Sequence, residues 1–154
     1  MSAPAPTARP APSEALSDVG MLVSTTGDPA ADRRLAEVVR LLVDGLTGVQ
    51  AAGAACGLDR CRVAVVCVAV AGGAIAPGLA EQVARLAPGT MVFLVAVGAW
   101  PAEVGTADRV LRPVLARLGA WCPAPTLHLD VPAPRAIADY ARYWRPVAGG
   151  VLRA

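Results

Sequence analysis

Four side chains in this sequence stand where they could donate or accept a proton. His128, the only histidine, lies two positions before Asp130 on a predicted strand, so both side chains point to the same face. Asp28 and Asp32 flank the start of a predicted helix, where the helix dipole favours a carboxylate. These four residues are therefore the candidate acid–base groups of the sequence. A structural histidine at the sheet edge is the alternative for His128.

The residue types and motifs of the sequence do not favour metal-dependent catalysis or the common enzyme classes that carry a short sequence signature. The chain has no lysine and no asparagine, and a single histidine does not make a histidine-rich zinc site. No C-x-x-C pair, G-x-S-x-G elbow, Walker loop or G-x-G-x-x-G occurs. The sequence therefore predicts no metal site and disfavours the hydrolase, NTPase and Rossmann dinucleotide classes. We expect free structural thiols at Cys56, Cys61, Cys67 and Cys122.

Three turn segments carry the candidate binding residues, and each follows a predicted strand. They comprise Ser24, Thr25, Thr26, Gly27, Gly72, Gly73 and Trp100. The hydroxyls and glycine of the first segment suit an anion-binding loop at a helix N-terminus. The paired glycines suit close approach of a ligand, and the tryptophan suits a pocket wall. Plain turns, and a partner interface for the tryptophan, are the alternatives.

Composition limits the class of protein that positions these residues. The 154 residues suffice for one domain, and 55% of them are apolar. A net charge of +2 does not favour nucleic-acid binding. Residues 1–17 are rich in alanine and proline and predict a disordered tail, which leaves 18–154 as a single domain. No leader segment is visible, so we expect a cytoplasmic protein.

The apolar pattern alternates between strands and helices along the domain. Predicted strands cover Val19–Ser24, Val63–Val70, Met91–Val97 and Thr126–Val131. Predicted helices start at Ala30, Leu79 and Pro134, and Thr106 is expected to cap a further helix. Continuous apolar strands between helices indicate a doubly wound parallel α/β sheet. Its ligand crevice lies beyond the carboxyl ends of the strands. The charge-free stretch Val63–Ala80 is interrupted by glycines and Pro77, so we interpret it as a buried strand and loop rather than a membrane span.

Three segments resemble the NAD(P)H-dependent FMN reductases of the flavodoxin-like superfamily. Val92–Asp130 is similar to the family's late strand, its L-R-P helix (Leu111–Pro113), its L-G-A turn (Leu118–Ala120) and its last strand. VAVVCVAVAGGAIAPGLAEQVAR is similar in layout to the central strand with its S-P-x-Y-N signature, and MLVSTTGDPAADRRLAEVV to the first strand and phosphate loop. The resemblance implies a flavodoxin-like fold of about four strands.

The sequence departs from that family where flavin would bind. In the family's S-G-S-x-R-x-x-S loop, Thr25 takes the glycine position and Asp28 the arginine position. Gly72 and Gly73 replace the tyrosine and asparagine that face the flavin ring. The link Thr47–Arg62 is too short for the family's next strand, so we expect one edge strand to be deleted. We therefore expect no tightly bound cofactor.

These departures leave three hypotheses for function, and whether the protein is an enzyme stays open. The first is a degenerate FMN-reductase-like protein with lost or weak flavin binding, acting as an accessory or partner subunit in bacterial specialised metabolism. The second is a working reductase that uses FMN and NAD(P)H. The third is a cofactor-free enzyme that reuses the crevice with the acid–base candidates above.

The last predicted helix suggests a protein partner. Tyr140, Tyr143 and Trp144 stand there beside Arg142 and Arg145, and these residue types are enriched at interface centres. A deleted edge strand and a high apolar fraction also favour a covered surface. We expect a homodimer or a heteromeric complex, with neither nucleic acid nor membrane as partner.

Overall fold

The computed structural model describes residues 18–24, 26–48, 57–99, 101, 103–131 and 133–154. The predicted tail 1–17 lies outside these residues, as do Thr25, Cys56 and Trp100. The assignment of 18–154 to a single domain stays a prediction. No helix within the described ranges combines the length and the apolar character needed to cross a bilayer.

The chain alternates between strands and helices, as the apolar pattern predicts. The strands are β1 Val19–Val23, β2 Val63–Ala71, β3 Ala74–Ile75, β4 Met91–Val97 and β5 Leu127–Leu129. The helices are α1 Pro29–Thr47, α2 Leu79–Val83, α3 Thr106–Arg117 and α4 Pro134–Arg153.

Four of the strands form a parallel sheet in the order β1-β2-β4-β5, and the short β3 pairs antiparallel with β2. This confirms the doubly wound α/β class. Flavodoxin-like sheets have the order 2-1-3-4-5. The order here equals that pattern without its second strand, and among the described residues β1 has no neighbour on its outer side. The short link after α1 predicts this arrangement.

The sheet separates two apolar layers. Side chains alternate along each strand, so Val65 and Cys67 of β2 face one layer while Ala64 and Val66 face the other. Helices α1 and α4 cover the first layer, and α2 and α3 cover the second. Because both faces are buried, the central strands are continuous apolar runs.

Helices α1 and α4 approach closely because of two glycines. A Cβ atom at Gly45 would lie 2.5 Å from the Cβ of Ala141, so only glycine permits this contact. Gly48 ends α1 in the left-handed conformation, and the Arg145 guanidinium packs directly against it. No basic residue lies in the last turn of α1 itself, so Arg145 supplies the cation that stabilises the negative end of the helix dipole.

Two local predictions are wrong. The segment after β2 is not an open loop, because β2 continues to Ala71 and turns back through Gly72 and Gly73 into β3. Both glycines have positive φ, 60° and 73°, as a two-residue hairpin turn requires. Thr106 does not cap α3, since Gly105 holds the N-cap position and Thr106 is the first helical residue.

Candidate functional site

A groove opens at the carboxyl ends of the parallel strands, where the fold places ligands. Its volume is about 350 Å³. It lies between the start of α1 and the segment that follows β5. The apolar side chains that line it are Ala31, Leu35, Ala69, Val97 and Val131. Three polar residues, Thr26, Arg34 and Asp130, complete the lining.

Four hydrogen-bond donors of the β1–α1 loop and the start of α1 find their acceptors within the same segment. The N–H and the hydroxyl of Thr26 both donate to Oδ1 of Asp32, each at 2.7 Å. Asp28 is the N-cap of α1, and its carboxylate accepts the N–H of Ala30 at 2.9 Å. The Asp28 N–H in turn donates to the Thr26 hydroxyl at 3.1 Å. The carboxylates of the loop thus take the positions that a bound anion occupies at an open helix N-terminus.

Ser24 is an exception in this loop. Its side chain is 1% exposed, and its Oγ finds no hydrogen-bond partner among the residues that the structure describes. The backbone N–H of Ser24 donates to the carbonyl of Cys67, which continues the β1–β2 ladder. A buried hydroxyl without a partner is costly, so a ligand group that reached this atom would gain a hydrogen bond there.

The paired glycines form a tethered turn. The Gly73 N–H donates to Oε2 of Glu103 at 2.9 Å, which ties the β2–β3 hairpin to the loop after β4. A Cβ at Gly98 would lie 2.8 Å from the carbonyl oxygen of Val70, so that loop also approaches β2 closely. The described geometry therefore gives Gly72 and Gly73 a turn role, while Gly27, with φ of 85°, bends the β1–α1 loop.

His128 has a carboxylate partner that the sequence analysis did not name. Its Nε2 lies 3.8 Å from Oδ2 of Asp108 on α3. Asp130, expected on the same face of the strand, lines the same small cavity as His128 together with Glu103, but no hydrogen bond or ion pair joins the two residues in the described structure. That cavity measures about 10 Å³, roughly the space of one water molecule. It is too small for a substrate.

Asp108 is the centre of a polar cluster that joins α3 to the start of β5. Its Oδ1 accepts from the Thr126 hydroxyl at 2.5 Å and from Arg112 Nε at 2.6 Å. Arg112 also donates to the carbonyl of Ala124 at 3.0 Å. Partial burial acts to raise the pKa of the Asp108 carboxyl, but the hydrogen bonds from Thr126 and Arg112 outweigh it and the pKa lies below its ordinary value. The cluster is a structural link with one ionised carboxylate.

Two of the described cysteines, Cys67 and Cys122, are held as thiols rather than as nucleophilic thiolates. Burial raises the pKa of the Cys67 thiol to about 12, so it stays protonated. Burial also raises the pKa of the half-buried Cys122 thiol, although Arg112 acts against it. Within the described ranges, no three histidine, cysteine or acidic residues are grouped to hold a metal ion.

Helix α4 carries an aromatic surface. The Tyr140 hydroxyl donates to the carbonyl of Pro125 at 2.8 Å, and its ring stands edge-on to Phe93. Tyr143 packs against Trp144 with 5.2 Å between ring centroids, yet it is 75% exposed. Val147, one turn later, is 37% exposed. Tyr143 and Val147 thus place an apolar pair on the exposed flank of this helix.

The structure thus brings together some of the predicted site residues. Thr26 and Asp130 line the groove, and Asp28 and Asp32 lie at the N-cap and in the first turn of α1 at its edge. Thr25 and Trp100 lie outside the described residues. Of the three polar residues that line the groove, only Arg34 was not among the predicted site residues. Its position about one helical turn after the loop is the sequence signal that could have identified it.

Solved structures similar to this one are flavodoxins and a flavin oxidoreductase. A flavodoxin from Streptococcus pneumonia TIGR4 has a TM-score of 0.65 at 14% identity, covering 86% of this chain and 97% of that one. The oxidised flavodoxin 1 of Bacillus cereus has a TM-score of 0.60 at 10% identity, covering 86% and 96%. An NADH:FMN oxidoreductase in its apo form has a TM-score of 0.51 at 16% identity, covering 81% and 88%. These likenesses establish a flavodoxin-like fold.

Comparison by sequence adds no closer assignment. No family model matches the chain. No curated protein matches it either.

Proposed function

We propose that this protein is a flavodoxin-like accessory subunit that does not hold FMN tightly and acts through a protein partner. The observation that carries the proposal is the hydrogen bonding of Asp28 and Asp32 to donors of the β1–α1 loop and the first turn of α1. Asp32 accepts both donors of Thr26, and Asp28 accepts the N–H of Ala30. A flavin phosphate placed at this helix N-terminus would compete with two carboxylates of the chain for the same donors.

Electrostatics gives the size of this obstacle. Two like unit charges at ~4 Å repel by about 4 kcal/mol at an effective dielectric of ~20. Solvent screening at the exposed loop reduces that figure. Even a quarter of it, for each carboxylate against a dianion, lowers affinity by about fivefold or more.

The partner part of the proposal rests on α4. The helix carries four arginines and one aspartate, a net charge of +3, whereas the whole chain carries +2. Two copies that met through this face would place like charges together, which opposes a homodimer. The exposed Tyr143 and Val147 beside Arg142 instead suit a heteromeric partner whose docking face is acidic with an apolar centre.

Titration with FMN tests the first part. We expect the purified protein to lack the visible flavin band and to bind FMN with a Kd well above about 10 µM. The double variant Asp28→Asn, Asp32→Asn should bind FMN at least about tenfold more tightly, since two negative charges leave the loop. Glu37→Gln is the matched control, because it removes a charge from the exposed face of α1 farther from the loop. Co-purified flavin, or a submicromolar Kd in the wild type, would contradict the proposal.

Site-specific crosslinking in the native host tests the second part. A photo-reactive residue at position 143 should capture a protein of acidic surface, and Arg142→Gln should weaken that capture. The same probe at Glu81, on the other layer of the molecule, is the control. An adduct of twice the chain mass would show a homodimer instead, and equal capture at both positions would refute a specific face.

One observation favours a second candidate, a reductase that uses FMN as a weakly held substrate. The buried Ser24 hydroxyl lacks a partner within the described part of the chain, and it stands at the start of the loop where a phosphate would bind. Oxidation of NADPH that depends on added FMN, and that Ser24→Ala slows, would establish this candidate and replace the first one.

A further inference from the structure

The polar residues of the crevice groove leave one cation and one anion without partners. Arg34 and Asp130 both line the groove. Neither side chain makes a hydrogen bond or ion pair with another residue in the part of the chain that the structure describes. By contrast, Asp32 beside them is engaged with Thr26, and the neighbouring Arg33 donates to the carbonyl of Pro29.

The remaining lining of the groove is apolar. Ala69 lies two residues before the end of β2 and Val97 ends β4, and Leu35 and Val131 complete the apolar lining. A volume of about 350 Å³ lies within the range of small-molecule sites, about 300–1,000 Å³. Such sites combine an apolar wall with a few polar groups that fix orientation.

We infer that this groove binds a small zwitterion with an apolar body, its carboxylate on Arg34 and its amine on Asp130. A simple anion would satisfy Arg34 but would face Asp130, while a simple cation would face Arg34. A molecule with both charges satisfies both groups, and its apolar part covers Ala69 and Val97. The inference rests on one part of the proposed function, namely that FMN does not occupy the groove.

Methyl NMR on flavin-free protein provides the binding assay. The probes are phenylalanine and 8-aminooctanoate, which carry the two charges close together and far apart. We expect at least one of them to shift the methyl signals of Ala69 and Val97 in a saturable way. Absence of saturable shifts with both probes would overturn the inference.

Matched variants and probe derivatives then assign each charge. Arg34→Gln should weaken binding of the zwitterion by about fivefold or more, yet leave its methyl ester unaffected, because the ester has no carboxylate. Asp130→Asn should weaken the zwitterion similarly but spare the N-acetyl derivative. Arg33→Gln and Asp139→Asn are the controls and should change affinity less than about twofold, as surface charges typically do.

The failure of this inference is distinguishable from failure of the proposed function. Flavin binding by the wild type would overturn the proposed function, whereas the zwitterion titration is read separately on flavin-free protein. Equal losses for the zwitterion, ester and N-acetyl derivative in both variants would mean that neither charge pairs with the ligand. That result would refute the assignment of Arg34 and Asp130.

Discussion

Replacing Asp108 should destabilise the protein by removing the polar link between α3 and β5. Its Oδ1 accepts charge-assisted hydrogen bonds from Thr126 and Arg112, at 2.5 and 2.6 Å. Such bonds contribute about 1.5–3 kcal/mol each when they are shielded from water. The Asp108 side chain is 34% exposed, so screening reduces each contribution to roughly 1 kcal/mol. We therefore expect Asp108→Ala to lower the free energy of unfolding by about 2 kcal/mol.

Thermal and urea unfolding followed by circular dichroism measure this loss. For a chain of this length, about 2 kcal/mol corresponds to a decrease in Tm of roughly 4–8 °C. Asp139→Ala is the matched control, because Asp139 also pairs with an arginine on its own helix, Arg142, but is 55% exposed. That variant should lie within about 0.5 kcal/mol of the wild type.

The pH dependence supplies the sharper test. The folded-state pKa of Asp108 is lowered, so its stabilising contribution is present above the unfolded pKa of about 3.9 and is lost as pH falls through the folded value. The difference between wild type and Asp108→Ala should thus be full at neutral pH and shrink below about pH 4. A difference that does not change with pH, or a variant as stable as Asp139→Ala, would refute the role given to this carboxylate.

Three further predictions concern packing and burial. Gly45→Ala should destabilise the protein by about 1–2 kcal/mol in urea unfolding, since the new Cβ would lie 2.5 Å from that of Ala141. Gly150→Ala is the control: it lies in open space on α4 and should stabilise the protein slightly, so equal effects at both sites would contradict the close helix contact. Ser24→Ala should leave the free energy of unfolding unchanged or raise it by up to about 1 kcal/mol, because it removes a buried hydroxyl that has no hydrogen-bond partner among the described residues. A clear loss of stability in thermal unfolding would show that the hydroxyl does make a hydrogen bond. The Cys67 thiol, with its pKa of about 12, should resist maleimide at pH 8 until the protein is unfolded, as peptide mapping would report; rapid labelling of the native protein would contradict its burial.

The sheet was predictable from sequence because its central strands are buried on both faces. The predicted strand Met91–Val97 matches β4 at both ends, and β2 extends one residue past the predicted Val70. The inward face of α1 was also predictable, since its apolar residues repeat at spacings of three and four and are all buried. The edge strand was predicted too long. It was expected over Thr126–Val131, but β5 covers only Leu127–Leu129, the three residues that pair with β4.

The site was less predictable because its contacts join distant segments. The link between Asp32 and Thr26 and the one between Glu103 and Gly73 depend on side-chain direction in turns, which periodicity does not report. The partner of His128 lies twenty residues away on another element. The hairpin, in contrast, had a local signal, since two glycines between apolar residues are typical of a tight turn.

The division of the interior into two layers has a consequence for how the chain folds during synthesis. The layer under α2 and α3 is built from residues up to Ala120, so it can close while the rest of the chain is still being made. The opposite layer is completed only by α4, the last helix of the sequence, which packs against α1, a helix near the start of the sequence. Proteins emerge from the ribosome N-terminus first. Until α4 is released, the part of that sheet face that α4 covers and the side of α1 that packs against α4 remain exposed to water, and that nascent surface is where a chaperone would bind.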